Sequence, residues 1–412
     1  MARLLRPPAG ADGRDPPSPP LPRPPRLRRG LRLVPLRVQA GAAVADPPGD
    51  KPETTRVFSL ADRRAATVRA PDPAMRDHFI IGSSGGSLVT ADKRGRMRIA
   101  NPVTGEQGEL PAITTIPFVN ATPGGHHFVL DLQPLVQIRY RGQLESWPHG
   151  LLHPLHPHKY GTFTHTAGDM CQWFYRKVVH SASPRPGDYA ATLLLNNYFG
   201  TPAFATADDG QWRVAPSRDG VEDAIHHKGK FLSVTYTGTV EAWERDGVDR
   251  EFTSKMVTSM MAKAGHHRQC RKYLAAAPDG RLMIVLKNAT NGANKDYYQV
   301  KVFDEKRTRW EAAKDVGDLA VLVGVNSSLC VSTTKHPELK AGCVYYTDDE
   351  IGKASLRRQG ADGPHRLRGH DADSKRNVGV YSLRDGTVES IPELGDHLSW
   401  PPPAWFIPSF PW

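Results

Sequence analysis

The chain has 412 residues and a formal net charge of +11 at pH 7, and 39% of its residues are hydrophobic. Its best apolar run, "LAVLVGV" at 319–325, has the size of a strand. No run reaches the roughly 18–20 apolar residues that a membrane-spanning helix needs, so composition argues against a helical membrane protein and we expect no membrane contact.

The first fifty residues hold much of the positive charge, with nine Arg, four Asp and no Lys. The rest of the excess is a mild bias spread over the remaining chain. Because no motif that combines basic and aromatic residues accompanies this bias, we expect no nucleic-acid binding by the folded part.

Residues 1–55 are rich in proline, as in "DPPSPPLPRPPRLRRG". Proline lacks the amide donor of a helix and favours extended backbone, so this segment is predicted to be a disordered arm. Pro7 and Pro8 interrupt the start before an apolar signal sequence could form, which predicts an intracellular protein of the cytoplasm or nucleus. The Arg-rich, acid-poor composition leaves an organelle-targeting peptide as the alternative.

The pattern of the four cysteines is also typical of an intracellular protein. Cys171, Cys270, Cys330 and Cys343 form no C-x-x-C pair and no dense framework. They are therefore predicted to be reduced thiols.

From residue 56 onward, short apolar stretches alternate with Asp-Gly dipeptides, which lie at 209–210, 219–220, 246–247, 279–280 and 385–386. Stretches such as "FLSVTYTG" (231–238) and "RLMIVL" (281–286) predict strands with one buried face, and Asp-Gly suits type I′ hairpin turns. The best helix candidate is "REFTSKMVTSMMAKAG" (250–265), whose methionines could equally form a packed bend.

Four phrases share one design, in which an apolar strand, a polar turn and a second strand follow one another. The phrases are "RIANPVTGEQGELP", "TVEAWERDGVDREF", "VKVFDEKRTRWEAAKD" and "GVYSLRDGTVESIPEL". Along the chain, hairpin units of this kind recur roughly every 40–50 residues, which is the period of propeller blades. We therefore predict an all-β protein, a β-propeller over residues 56–412, with six blades, or seven as the alternative. The final segment is expected to close it by pairing near residues 56–70.

Three stretches could carry chemistry. "GSSGGS" (82–87) lacks the Lys-Ser/Thr ending of a phosphate-binding loop and is interpreted as a turn before the strand at Leu88. A group of histidines could bind zinc or copper through its imidazoles, namely His153, His156, His158 and His165. Prolines hold this segment extended, so only adventitious metal binding is expected. The acidic "TDDE" (347–350) is interpreted as an exposed turn after a strand.

No catalytic, cofactor-binding or metal residue is assigned, and we expect neither an enzyme nor a cofactor, because no nucleophile elbow or Cys/His/Asn phrase is present. In the Pro-rich tail, Trp400, Trp405 and Phe406 are predicted to pack onto the propeller and fasten its terminus. A Pro-rich ligand for a partner domain is the alternative for this tail.

Several phrases, in their joint order, resemble the plant KIB-type β-propeller family, also called domain-of-unknown-function family 295. They include "IIGSSGGSLVTADKRGRMRIANPVTGEQGELPAITTI" (80–116), "HHKGKFLSVTYTGTVEAW" (226–243) and "NVGVYSLRDGTVESIPELGDHLSWPPPAWFIPS" (377–409). The resemblance covers about residues 56–410. In "GSSGGS" the chain departs from the family, which usually carries a His-Gly-Trp-like phrase after the two serines.

The resemblance implies a plant protein whose propeller commonly follows an F-box. In that arrangement the F-box docks onto the Skp-type adaptor of a cullin–RING ubiquitin ligase, and the propeller selects the client. Residues 1–55 carry too many prolines for F-box helices, so we expect no direct adaptor binding. The resemblance then implies a non-catalytic protein-interaction propeller with an unknown client. The alternatives are a ligase-independent, organellar binding protein and, after it, a propeller enzyme or metalloprotein.

Overall fold

The computed structural model describes thirteen segments of the chain: residues 42–45, 54–61, 63–69, 78–132, 135, 162–181, 189–196, 199–217, 219–261, 270–288, 297–349, 378–391 and 403–407. Most described residues lie in strands, which form seven sheets. Within these segments no helix is long and apolar enough to cross a membrane.

The first three sheets follow one another along the chain. Sheet 1 begins with β1 (Ala42–Ala45), β2 (Thr54–Ser59) and β3 (Arg64–Arg69). Sheet 2 contains β4 (His78–Ser84), β5 (Ser87–Asp92), β6 (Met97–Ala100) and β7 (Gln107–Leu110). After a 3-10 turn at Ile113–Thr115, sheet 3 contains β8 (Val119–Ala121), β9 (His127–Asp131) and β10 (Thr162–Thr166).

A short α-helical turn, Ala167–Asp169, and a π-helical turn, Met170–Phe174, lead into sheet 4. Sheet 4 contains β11 (Tyr175–His180), β12 (Ala190–Leu195), β13 (Pro202–Thr206) and β14 (Arg213–Val214). Sheet 5 contains β15 (Val221–His227), β16 (Lys230–Thr235), β17 (Val240–Arg245) and β18 (Phe252–Met256). Sheet 6 contains β19 (Arg271–Ala276), β20 (Leu282–Lys287), β21 (Tyr298–Asp304) and β22 (Arg309–Ala313).

Sheet 7 contains β23 (Leu319–Val323), β24 (Leu329–Ser332), β25 (Cys343–Tyr346), β26 (Gly379–Ser382) and β27 (Val388–Glu389). Its strand order is β24-β23-β25-β26-β27, and β23 pairs with β25 in parallel. Sheets 2, 4, 5 and 6 are instead four-stranded antiparallel meanders. The predicted all-β propeller class is confirmed, whereas the choice between six and seven blades stays a prediction.

All four hairpin phrases of the sequence form antiparallel strand pairs, namely β6–β7, β17–β18, β21–β22 and β26–β27. The turn chemistry differs from the prediction. A type I′ turn needs positive φ at both central residues, but in Asp219-Gly220, Asp279-Gly280 and Asp385-Gly386 only the glycine has one. The type I′ assignment was therefore wrong at these three turns, and it was also wrong at Asp209-Gly210 and Asp246-Gly247, where neither residue has a positive φ.

The first strands of three sheets carry the same irregularity. Each has a β-bulge, between Ile80 and Gly82 in β4, between Tyr175 and Lys177 in β11, and between Val221 and Asp223 in β15. A bulge inserts one extra residue and turns the neighbouring side chains in a new direction. Gly82 also brings β4 against β11, because a Cβ at this position would overlap with the carbonyl oxygen of Val178. Sheets 2 and 4 therefore touch directly, although sheet 3 lies between them in sequence.

The last described strand returns to the start of the chain. β28 (Ala404–Phe406) pairs antiparallel with β1 and completes sheet 1. The predicted partner region at residues 56–70 lies in the same sheet, on the far side of β1. β1 itself precedes the predicted boundary at residue 56, and most of the predicted arm lies outside the described residues.

Aromatic side chains fill the spaces between adjacent sheets. Phe204 of sheet 4 stacks on Phe252 of sheet 5 with ring centroids 4.4 Å apart, and Tyr298 of sheet 6 packs on Tyr346 of sheet 7 at 5.1 Å. Residues 252–256 of the helix candidate form β18 instead, so the helical alternative was wrong there. The core is thus built by packing sheet against sheet, as a propeller requires.

Candidate functional site

Charged side chains are buried where the first strands of sheets 4, 5 and 6 meet. This set, the inner charge network, consists of Arg176, Lys177, Glu222, Asp223, Arg271, Lys272, Lys287 and Asp349. Buried charges are rare and persist only when they are paired, so this is the most unusual chemical feature of the described fold.

Asp223 is the residue on which four sheets converge. Its side chain is fully buried, and one carboxylate oxygen accepts a hydrogen bond from the Lys177 ammonium of sheet 4 at 2.5 Å. The other oxygen accepts from the Leu274 amide of sheet 6 at 2.9 Å and from the hydroxyl of Ser328, directly before β24 of sheet 7, at 3.3 Å. Because Asp223 follows the bulge of β15, the bulge directs this carboxylate toward its neighbours.

Two further pairs surround Asp223. The Lys272 ammonium donates to the Glu222 carboxylate at 2.9 Å, and the Lys272 amide donates to the same carboxylate at 3.2 Å. The Arg271 guanidinium donates to Asp349 at 2.9 Å and stacks over the Tyr273 ring at 4.8 Å. These contacts link sheet 6 to sheet 5 on one side and to the residues after β25 on the other.

Burial and charge act in opposite directions on these groups. Burial lowers the pKa of Lys177, and Asp223 offsets part of that effect. Burial also favours the neutral forms of Arg271 and Asp349, but their mutual attraction outweighs it. The pKa of Arg271 is therefore raised and that of Asp349 lowered, so this pair is ionised at neutral pH.

The predicted exposed acidic turn at residues 347–350 was wrong for its described part. Thr347, Asp348 and Asp349 are buried, and Asp349 belongs to the inner charge network. The carboxylate is buried because Arg271, distant in sequence, supplies the opposite charge. No local signal in "TDDE" reveals that partner.

The segment "GSSGGS" forms hydrogen bonds between sheets. Its residues end β4, form the hairpin turn and begin β5, which confirms the predicted turn. The Ser83 hydroxyl donates to the Trp405 carbonyl at 2.6 Å, and the Ser83 carbonyl accepts from the Ser327 amide at 2.6 Å. The Ser84 hydroxyl donates to the His180 carbonyl at 3.2 Å. These small polar residues thus connect sheet 2 to sheets 1, 4 and 7.

The other residues singled out in the sequence divide between described and undescribed parts. His153, His156 and His158 lie outside the described residues, whereas His165 lies in β10. Among the described residues, no group of three His, Cys, Asp or Glu side chains could hold a metal ion. Trp405 and Phe406 are fully buried, as predicted, and Trp400 lies outside the described residues.

Three of the cysteines, Cys270, Cys330 and Cys343, are poor nucleophiles. The Cys270 thiol donates a hydrogen bond to the Asn288 side-chain oxygen at 2.9 Å, and Cys330 and Cys343 are free thiols. Burial raises the pKa of each, to about 12 at Cys330. Since the thiolate is the reactive form, these thiols carry little nucleophilic character at neutral pH.

Glu241 of sheet 5 is a carboxyl group that sequence reasoning missed. It is buried, and burial together with the nearby Asp219 raises its pKa to about 7. A carboxyl group in this range changes its charge near neutral pH. Only its environment identifies it, because the phrase "TVEAWER" reads as an ordinary strand.

Sheet 5 also presents exposed apolar side chains at its outer strand. Met256, Val257 and Met260, called the methionine edge below, have exposed fractions of 72%, 44% and 53%. The Ser259 hydroxyl within this segment donates to the Thr308 carbonyl at 3.2 Å, which places the methionine edge beside the β21–β22 hairpin. Methionine is flexible and polarisable, and it is frequent on surfaces that bind proteins.

Packed four-stranded sheets and a closing strand from the end of the chain define a β-propeller. Residues 57–382 match the family described as KIB1-4 beta-propeller, and the chain belongs to this family. The resemblance recognised in the sequence is thereby confirmed.

Among curated proteins, the chain is similar to F-box protein At2g17036 of Arabidopsis thaliana, with 24% identity over 245 residues. The match covers 53% of each protein, so the chain spans about half the length of this relative. Similar solved structures include YCF48 bound to D1 peptide, with 11% identity, 69% and 73% of the two chains covered and a TM-score of 0.30. The β-propeller domain of Myceliophteria thermophila Cps50 (Swd1) has 10% identity, 67% and 86% coverage and a TM-score of 0.31.

Proposed function

We propose that this chain is a non-catalytic propeller that binds a client protein and presents it for ubiquitin ligation. The observation that carries the proposal is its membership in the KIB1-4 β-propeller family, together with its similarity to a plant F-box protein. In such a role the propeller supplies a rigid frame, and exposed loops and edges recognise the partner.

The chemistry of the described residues supports a binding role over a catalytic one. Lys177, Asp223, Arg271 and Asp349 neutralise one another across the sheets, which suits a structural frame. The methionine edge offers apolar surface that the described fold does not cover. Such surface gains free energy when a partner removes it from water.

Affinity purification of the full chain from plant cells tests the ligase connection. We expect cullin and Skp-type subunits to accompany the chain through a partner protein that contacts the adaptor. Their consistent absence would count against a role in ubiquitin ligation and would leave a ligase-independent binding protein.

Surface variants test client recognition separately. We expect Met256→Asp with Met260→Asp to remove a client that the wild-type chain retains, because charged side chains oppose burial of the methionine edge. Val388→Asp is the matched control, since Val388 is 57% exposed on sheet 7. Equal client recovery with both variants would show that the methionine edge does not bind the client.

The Arg-rich segment supports one alternative proposal, a binding protein that acts in an organelle. Residues 1–55 contain many Arg and few acidic residues, as targeting peptides do. A fusion of these residues to a fluorescent reporter distinguishes a location in an organelle from one in the cytoplasm or nucleus. An organellar signal supports this alternative, and a diffuse signal supports the cytoplasm or nucleus.

A further inference from the structure

Besides the Tyr273 hydroxyl, three hydrogen-bond donors in and around the inner charge network have no partner among the described residues. They are Nε of Arg176, Nη2 of Arg271 and the hydroxyl of Tyr298. Tyr298 is 2% exposed, and both guanidinium atoms are buried. An unpaired buried donor costs free energy, so three near one another are unusual.

The three donors belong to one neighbourhood. Arg271 contacts Asp349 at 2.9 Å and the Tyr273 ring at 4.8 Å. Arg176 directly precedes Lys177, whose ammonium lies 5.9 Å from the centroid of the same Tyr273 ring, and the charge of Arg176 lowers the pKa of Asp349. Tyr298 packs in the same buried cluster as Tyr273, and burial raises its pKa, with smaller contributions from Tyr273 and Asp349. Sheets 4, 6 and 7 thus meet around these donors.

The network also carries an excess of positive charge. Five cations, Arg176, Lys177, Arg271, Lys272 and Lys287, accompany three carboxylates, Glu222, Asp223 and Asp349. Asp348, the next buried carboxylate along the chain, reduces the excess without removing it. A buried excess of one sign is unfavourable unless a counter-charge is present.

We propose that Arg176, Arg271 and Tyr298 form a binding site for a small dissolved oxyanion, with phosphate as its simplest example. The guanidinium groups are obligate donors and a phenol readily donates, so an acceptor with several oxygens satisfies all three. A single water accepts only two hydrogen bonds and adds no negative charge. Charge-assisted bonds from guanidinium to phosphate or carboxylate are among the stronger hydrogen bonds in proteins.

The burial of the three donors limits the size of the ligand that they can bind. The Arg271 side chain is 11% exposed, and Tyr273 beside it is fully buried. A folded partner cannot reach such atoms, so the ligand that we propose for them is a small ion. The β11 bulge supports this assignment, because Arg176 is the extra residue that the bulge turns away from regular strand geometry. The site is independent of the client binding proposed above.

The test is titration calorimetry of the full chain, prepared in chloride buffer, with inorganic phosphate at constant ionic strength. We expect saturable binding to one site per chain. Arg176→Gln should weaken it about tenfold or more, because hydrogen bonds to charged groups contribute that much on average. Tyr298→Phe should weaken phosphate binding by a smaller factor. This second variant allows the test to be made even if the arginine variant does not fold.

Tyr346→Phe is the matched control. The Tyr346 ring packs against Tyr298 at 5.1 Å, and its hydroxyl is not among the three donors. This variant should bind phosphate as the wild type does. Parallel titrations with sulfate and acetate distinguish a tetrahedral oxyanion from a carboxylate. Absence of saturable binding with all three ions, or equal binding by Arg176→Gln, would overturn the proposal.

Discussion

Replacing Asp223 by asparagine tests whether the inner charge network stabilises the propeller. Asparagine preserves the shape of the side chain but removes the negative charge that faces Lys177 at 2.5 Å. The exposed fractions of the two side chains are 1% for Lys177 and 0% for Asp223, so water cannot replace the lost partner. Removing one member of a buried ion pair costs about 3–5 kcal/mol, and we expect a loss of stability in that range.

Chemical unfolding of the wild type and of Asp223→Asn, followed by circular dichroism, measures this loss. Glu389→Gln is the matched control, because Glu389 and Lys340 are also 2.5 Å apart but have exposed fractions of 59% and 57%. An exposed pair of this kind contributes about 0–1 kcal/mol. If the two variants lose equal stability, burial does not set the strength of the Asp223 pair and the reasoning fails.

Three further predictions concern buried positions outside that network. Burial raises the pKa of Glu241 from 4.5 to about 7. The folded protein therefore holds this proton more tightly, and the free energy of unfolding should fall by about 3 kcal/mol as pH rises through this window. Unfolding measured at pH 5 and at pH 8 should show a smaller fall for Glu241→Gln than for the wild type. Gly82→Ala should cost about 1–3 kcal/mol or more, since its Cβ would overlap with the backbone of Val178, whereas Gly210→Ala, with open space around its Cβ, should be nearly neutral in the same thermal unfolding assay. Trp405→Ala should cost about 3–5 kcal/mol, because the indole is fully buried, and a midpoint of denaturation close to that of the wild type would contradict its role in fastening the terminus.

The hairpins could be predicted from the sequence because the residues that define the two strands and the turn are close together along the chain. In "TVEAWERDGVDREF" the apolar alternation and the turn lie within a few residues of each other, and β17 and β18 form there. The turn type could not be predicted with equal success, because Asp-Gly also fits turns in which only Gly280 or Gly386 has positive φ. β1 was missed, since "AAVA" is short and lies among prolines and glycines.

The inner charge network could not be predicted, because its partners come from different sheets. Lys177 and Asp223 are 46 positions apart, and Ser328 is 105 positions from Asp223. In the sequence, "YRK", "VED" and "RKY" look like ordinary strand starts. Their charges acquire a role only after packing brings the first strands together. The burial of Asp349 and the raised pKa of Glu241 likewise result from three-dimensional packing, each at its own position.

The pairing of β28 with β1 has a consequence for biosynthesis. Sheet 1 combines β1, β2 and β3 from the start of the described chain with a strand at residues 404–406. During translation the early strands leave the ribosome long before their last neighbour is made. Until then β1 exposes a bare edge, open to chaperones or to the wrong strand. Premature termination anywhere before residue 404 would leave that edge permanently unoccupied.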